Sequence, residues 1–396
     1  MNAQIQGQYH GQSKPLFSLY FKTAFLTLLT LGVYRFWAKT RIRKYIWSAT
    51  SGDGDSFEYT GTGLEKFLGF LVAIVVLAVY LGIVQMALFY FGLNLFIVPE
   101  NTAQELAQIG AIYLTFFAVL PLLLFAQYRA RRYQLARTRW RGLRFGMDSE
   151  AWGFAFRAMG YYVLVILTLG ILTPLATFKL EKFMADRTWY GDSKFVQQGR
   201  WQTLFKGMKH LLIGLVLLIA GPAIAFSVGS GGVAILGMVA LVVGYIWFLI
   251  GAVYYRIYAL NYLMSNRVLD GKIEFSSEAQ RSKVVSIAII GTIVVMVVGG
   301  VILGIAVGIG AAAGEALVTG GGVGALVAIA ILYVIALLII GGLSLVMITQ
   351  PIIEHVVTNV TVHDDENHLN AIQQRAADTG ADAEGFADAL DVGGAL

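Results

Sequence analysis

GVYRFWAKTRIRKY, residues 32–45, follows an apolar run with no linker and puts five cations and four aromatics into fourteen positions. Three chemistries use such a stretch: a nucleic-acid patch, a helix on a membrane surface, and one copy of a repeated unit. Composition makes the first cut. Of 396 residues, 57% are hydrophobic and 13% charged, with mean hydropathy +0.70. Soluble domains are about half apolar and about a quarter charged, so this is a membrane composition. The absence of cysteine excludes disulfides, thiolate metal sites, Cys-ligated iron–sulfur clusters and cysteine nucleophiles. Residues 1–16 are polar and lack the order of a signal peptide, so insertion is expected to use the protein's own spans.

Six runs are long enough to cross a bilayer, which takes roughly 20 apolar residues: 67–98, 106–126, 204–228, 233–255, 284–310 and 324–349. Two more, 16–38 and 152–178, are interrupted by Lys22 and Arg157. Of the 29 Lys and Arg, 25 fall in 35–66, 127–150, 179–209 and 256–283, while 99–105, 229–232 and 311–323 contain none. That division predicts cytoplasmic basic segments and an opposite face without cations.

The opening stretch recurs. Thr30-Leu31-Gly32 returns as Thr168-Leu169-Gly170, and at the same offset Lys44-Tyr45 matches Lys182-Phe183. Thr50, Thr138 and Thr188 are each followed seven residues later by a Phe (Phe57, Phe145, Phe195), with Gly between. These segments, "TSGDGDSF", "TRWRGLRF" and "TWYGDSKF", read as β-hairpins. Looser copies are "NRVLDGKIEF" (266–275) and "TNVTVHDDENHL" (358–369). If all five hairpins share one side, each interval between them crosses an even number of times. About 27 residues at about 1.5 Å each cannot supply two spans in 152–178. That segment is expected to dip and return near Gly170 and Pro174, and 16–38 to do so near Gly32; the alternative is eight ordinary spans.

The expected fold is an all-α polytopic membrane protein of six full spans plus two re-entrant segments, with small cytoplasmic β-hairpins. Its divisions are an N-terminal tail (1–15), membrane repeats at 16–151 and 152–283, a helix pair at 284–357 and an acidic tail at 358–396. Arg35, Trp37, Lys39, Arg41, Arg43 and Lys44, with Arg131, Arg132 and Lys182, are the candidates for lipid headgroups, because cations and Trp gather at the interface. Nucleic acid is set aside, since four such basic segments follow the positive-inside pattern. Arg157, Gly32, Gly170 and Pro174 are candidates for a substrate-facing mouth, with snorkelling the plainer reading of Arg157. Gly300, Gly304 and Gly308 have the spacing of close helix packing, within the chain or against a second copy in a homo-oligomer. Gln85 and Asn94 are expected to hydrogen-bond between helices. "SGDGDS" (51–56) lacks the spacing of a Ca²⁺ loop, and His363 with His368 is a weak pattern, so neither a metal nor a cofactor is expected. No nucleophile or phosphate-loop motif argues for catalysis. The tail 371–396 is expected to stay mobile or dock on the basic face.

"LTLGVYRFWAKTRIRKYIWSATSGDGDSFEYTGTG" resembles the YjgN family, multi-pass bacterial inner-membrane proteins of unknown function. The likeness rests on Thr30-Leu31-Gly32, Tyr34, Trp37-Ala38-Lys39, Arg41, Arg43, Phe57, Tyr59 and Gly61, on a second TLG segment, and on the "ADALDV" tail. At the hairpin turn the family commonly has Asp-Gly, and this chain has Gly52-Asp53-Gly54-Asp55. The resemblance implies an inner-membrane location and supplies no catalytic residues. The expected function is binding or passage of a small solute or lipid through a duplicated core, or else a scaffold whose hairpin layer recruits a partner or organises lipid.

Overall fold

The computed structural model describes residues 4–96, 98–227, 231–318 and 322–375. Described residues of 1–56, 203–266 and 274–365 gather into one compact unit, and those of 57–202, 267–273 and 366–396 into another.

In the first unit, strand β1 (Gln4–Tyr9) leads into helices α1 (Ser13–Leu29) and α2 (Arg35–Ala49), then β2 (Thr50–Gly52) and β3 (Asp55–Ser56). α7 (Lys209–Ser227) and α8 (Gly231–Ser265) follow, then β10 (Ile273–Ser277), α9 (Arg281–Val318), α10 (Gly322–Ser344), α11 (Gln350–Val357) and β11 (Val360–His363). The second unit holds β4 (Glu58–Tyr59), α3 (Gly63–Tyr90), α4 (Thr102–Ala136), β5 (Thr138–Trp140) and β6 (Leu143–Met147). It continues with α5 (Ala151–Leu167), α6 (Thr173–Ala185), β7 (Thr188–Tyr190), β8 (Ser193–Gln197) and β9 (Arg267–Leu269). Among the described residues six helical stretches are long and apolar enough to cross a membrane: Gly63–Tyr90, Thr102–Ala136, Lys209–Phe226, Gly231–Ser265, Arg281–Gly308 and Ile329–Val357.

The expectation of small, separate hairpins is corrected. Strands run in the order β3-β2-β1-β11-β10 in the first unit and β9-β8-β7-β6-β5-β4 in the second. A lone two-stranded hairpin is marginal and leaves a row of unpaired backbone groups on each edge; neighbouring hairpins supply the missing partners. Residues 4–9, inside the stretch read as a polar tail, form β1, which pairs antiparallel with β11 (Ile5 opposite Val362) and with β2 (Gln8 opposite Ser51). The fifth repeat gives one strand rather than two. The recurring Phe has a structural purpose: Phe57 and Phe145 stand 6.4 Å apart, in a ladder with Trp140 and Tyr190 whose rings lie 4.7–5.8 Å from their neighbours.

The recurring Thr closes the helix-to-strand junction. A helix ends with four carbonyls lacking partners. Hydroxyls of Thr50, Thr138, Thr188 and Thr358 each donate to the carbonyl four residues back, at 2.8–2.9 Å. The Asn266 amide does the same to Tyr262 at 2.8 Å. All five repeats thus end their helix alike.

The TLG stretches also fold alike. Leu31 and Gly32 take φ of 51° and 93°, Leu169 and Gly170 of 49° and 88°. Gly32 N–H donates to Thr27 O and Gly170 N–H to Val165 O, both at 2.7 Å, closing helices α1 and α5. Thr30 and Thr168 bridge each turn, donating back to Leu26 and Leu164 and accepting from Tyr34 and Leu172. Each helix then turns back to pack on its successor.

Among the described residues, close helix contact through glycine within the chain is made by α7 and α8, and the Gly300-Gly304-Gly308 stripe faces no neighbour there. A Cβ at Gly300, Gly304 or Gly308 would meet nothing within 4 Å among the described residues. On α7 and α8, by contrast, Gly214, Gly221, Gly237, Gly244 and Gly251 recur every seven residues on each helix. A Cβ there would come within 2.5–2.8 Å of the facing helix. Gly237→Ala is expected to lower stability in detergent by about 2 kcal/mol through overpacking, whereas Gly304→Ala is neutral or stabilising by up to about 1 kcal/mol. Thermal unfolding of the two variants checks this.

Candidate functional site

Two polar regions come together from residues far apart in sequence. The first is an ion cluster in the second unit, where α4 and α6 end against the strands. Glu181 receives both guanidinium nitrogens of Arg131 (2.8 and 2.9 Å) and Nη2 of Arg267 (2.9 Å), and Arg267 also donates to Gln197 Oε1 at 3.2 Å. Burial would push the Glu181 carboxyl up, but the two guanidiniums outweigh it and hold it down at about 2. Beside it Lys182 donates to the Gln197 carbonyl and pairs with Asp186 at 3.0 Å, and Arg132, buried, donates to Met147 O at 2.8 Å. Arg131, Arg132 and Lys182, expected at headgroups, therefore turn their cationic heads to protein partners.

The other headgroup candidates are on α2. Arg35, Arg41 and Lys44 are exposed, Lys39 and Trp37 half-buried, and Arg43 buried. Trp37 stacks on Tyr34 at 6.0 Å, Arg41 lies 5.6 Å from the Tyr34 ring, and Arg43 lies 5.9 Å from Trp47. The helix buries Phe36, Ile42 and Ile46, and Ile42 and Ile46 meet Leu16 of α1 and Leu345.

Arg157 is exposed but tethered: it donates to Gly153 O at 2.9 Å and lies 4.8 Å from the Phe183 ring, which Arg187 also covers at 3.6 Å. Gly32 and Gly170 occupy the turn tips described above, and Pro174 is buried near the start of α6. Gln85 donates to Thr115 Oγ1 at 2.9 Å, joining α3 to α4, whereas Asn94 instead caps the nearby N–H of Phe96. The tail 376–396 lies outside the described residues.

The second region went unnoticed in the sequence. In the first unit an open groove of about 680 Å³ runs along the last turns of α8 and the segment joining β10 to α9. Tyr254, Tyr258 and Tyr262, spaced i, i+4, i+8, form one wall, and Arg281 faces them. Arg281 Nη1 donates to Tyr254 Oη at 3.0 Å, and the guanidinium lies 5.3 and 5.2 Å from the Tyr254 and Tyr258 rings. The floor is tied: Asn261 donates to Ala279 O (2.8 Å) and accepts from Ser277 Oγ (2.9 Å). Behind it the Gln280 N–H donates to Nε2 of His355 at 2.9 Å. The tyrosine spacing was the sequence signal, hidden because it continues an apolar span.

A family model described as "Bacterial protein of unknown function (DUF898)" matches residues 4–389. The chain belongs to this family. Among curated relatives it resembles the inner membrane protein YjgN of Escherichia coli O157:H7, 25% identical over 173 residues, covering 44% of this chain and 38% of the relative. The Salmonella typhimurium YjgN is 22% identical over 208 residues, 50% and 48% of the two chains. The chain spans less than half the length of these relatives. No solved structure matches it. Like them, this member of the family is a multi-pass protein of the bacterial inner membrane, with six helices of spanning length among its described residues.

Because folding lowers the Glu181 pKa, its ionised form stabilises the protein at neutral pH. That contribution is complete above about 4.5 and fades as pH falls toward about 2. Glu181→Gln, which leaves two half-buried arginines without their shared carboxylate, is expected to cost about 2 kcal/mol at pH 7 and to remove this part of the acid limb. Unfolding midpoints between pH 7 and pH 3 test it.

Proposed function

We propose that the protein is a lipid-engaging scaffold of the inner membrane, with its strand layer on the cytoplasmic side and two helical hairpins dipping into that leaflet. One observation carries the reading: a duplicated, left-handed Leu-Gly turn at the end of a helix too short to cross. α1 and α5 have 17 residues each, about 25 Å of helix against a hydrocarbon core of about 30 Å. Each ends in an exposed leucine, Leu31 at 95% and Leu169 at 67%. A leucine in a conformation that disfavours side chains, fully open at a helix tip, gains nothing from water and is stabilised by lipid. The basic segments support the sidedness. The spans support a scaffold over an enclosed path, for at most 17% of any spanning window is buried within the chain.

Passage of a small solute or lipid is the second reading, favoured by the duplicated broken segments, a recurring transporter device.

Single-cysteine variants at Leu31, Leu169 and Asp192 separate these topologies, because the chain has no other thiol. An impermeant maleimide is expected to label Asp192→Cys only from the cytoplasmic side and both tip variants only after detergent. Tip labelling from the periplasm overturns the dip. In proteoliposomes the scaffold reading expects no protein-dependent scrambling of fluorescent phospholipid; robust scrambling favours transport instead.

A further inference from the structure

We infer that the groove between Arg281 and the Tyr254-Tyr258-Tyr262 wall binds the phosphate headgroup of an anionic phospholipid, an assignment that deepens the scaffold reading above. Depth comes first. α8 has 35 residues, about 52 Å of helix, so roughly 20 Å lies outside a hydrocarbon core of about 30 Å. With the apolar run 233–255 filling the core, the last turns of α8 fall at headgroup level, where tyrosine is favoured because its ring is apolar and its hydroxyl polar.

Charge comes second. Among the described residues Arg281 has no carboxylate within ion-pair distance, although Glu278 lines the same groove. Arg131, Arg137 and Arg267 are each paired with a Glu. One Arg281 N–H is taken by Tyr254. A guanidinium carries five donors in a planar fork that matches phosphate oxygens two at a time. The two tyrosine rings hold that fork in place, so little freedom is lost when an anion docks. The tied floor of Asn261, Ser277 and Ala279 keeps the groove open, and its volume lies within the range of small-ligand sites.

Shape selects a lipid over a free anion. Trp247 and Val243 lie seven and eleven residues before Tyr254 on the same face of α8, and they are 38% and 46% exposed. The His210 ring lies 5.9 Å from Trp247 and 4.8 Å from Tyr254 and joins the groove to these side chains; an acyl chain runs over this partly apolar face while the phosphate stays at Arg281.

The test uses the full chain in detergent, titrated with dihexanoyl phosphatidylglycerol, dihexanoyl phosphatidylcholine and inorganic phosphate, with binding read from intrinsic fluorescence and the thermal midpoint. Phosphatidylglycerol is expected to bind at least tenfold more tightly than phosphatidylcholine. Arg281→Gln abolishes that preference, and Arg281→Lys keeps part of it. Equal affinity for the two lipids overturns the assignment, and so does an unchanged preference in Arg281→Gln. Inorganic phosphate as effective as phosphatidylglycerol assigns the groove to a free anion and overturns the lipid. The wild-type comparison stands even where a variant misfolds. Failure here leaves the labelling of the Leu31 and Leu169 tips untouched, so the two readings fail separately.

Discussion

Every helix that leaves a membrane must give its backbone to something else, and this protein answers in one way five times over. Within hydrocarbon the helix satisfies its own N–H and C=O groups; at its end the last carbonyls have no partner. Here a Thr or Asn one to three residues past the helix returns a hydroxyl or amide to the carbonyl four back, and the chain runs on into a strand. That bond fixes where the helix stops, and hence the level at which each strand begins. Strands that begin level with one another can pair, which is why the hairpins join into sheets and are not left as isolated turns.

The same constraint explains how the charge is sorted. Near the junctions, backbone and side chains crowd together, and a cation there must be paired or hydrogen-bonded to be tolerated. Arg131 and Arg267 share Glu181, Arg137 shares Glu65, and Arg132 takes a strand carbonyl. Cations on the outer face of α2 meet no such demand, and Arg35, Arg41 and Lys44 are exposed. Net charge therefore says little about how much positive charge is available to lipid; burial decides it.

Much of this was legible in the sequence because two signals were periodic. Apolar runs of spanning length gave the six long helices, and the Thr-to-Phe spacing gave the strand pairs and the ladder in which Phe57 and Phe145 stand. Pairing between hairpins was not legible, since it joins strands far apart in the chain: β1, whose Gln residues alternate with Ile5, Gly7 and Tyr9 inside an otherwise polar stretch, pairs with β2 and with β11. The glycine contact seen within the chain was hidden for a related reason. GxxxGxxxG in α9 is the conspicuous pattern, but the contact of α7 with α8 uses glycines seven apart, a spacing that Leu, Val and Ala conceal. Of the candidate site, the basic segments were visible as charge and their partners were not: Glu181 meets Arg267 across 86 positions.

The groove illustrates what a sequence reading of a membrane protein discards. Tyr254, Tyr258 and Tyr262 continue the hydrophobic pattern of α8 without a break, so a hydropathy scan assigns them to the span. Only length argues otherwise, because a helix of 35 residues cannot hold all of itself in lipid. What emerges is a stripe of rings with hydroxyls, and a chain segment returning from β10 sets an arginine against it. Ring contacts and a phenol keep the arginine there, and among the described residues no carboxylate lies within ion-pair distance of it, so its charge is held in position without a direct counter-ion. A cation that is both oriented and uncompensated is the condition for binding an anion. At the end of a spanning helix, the anion in greatest supply is the membrane's own phosphate.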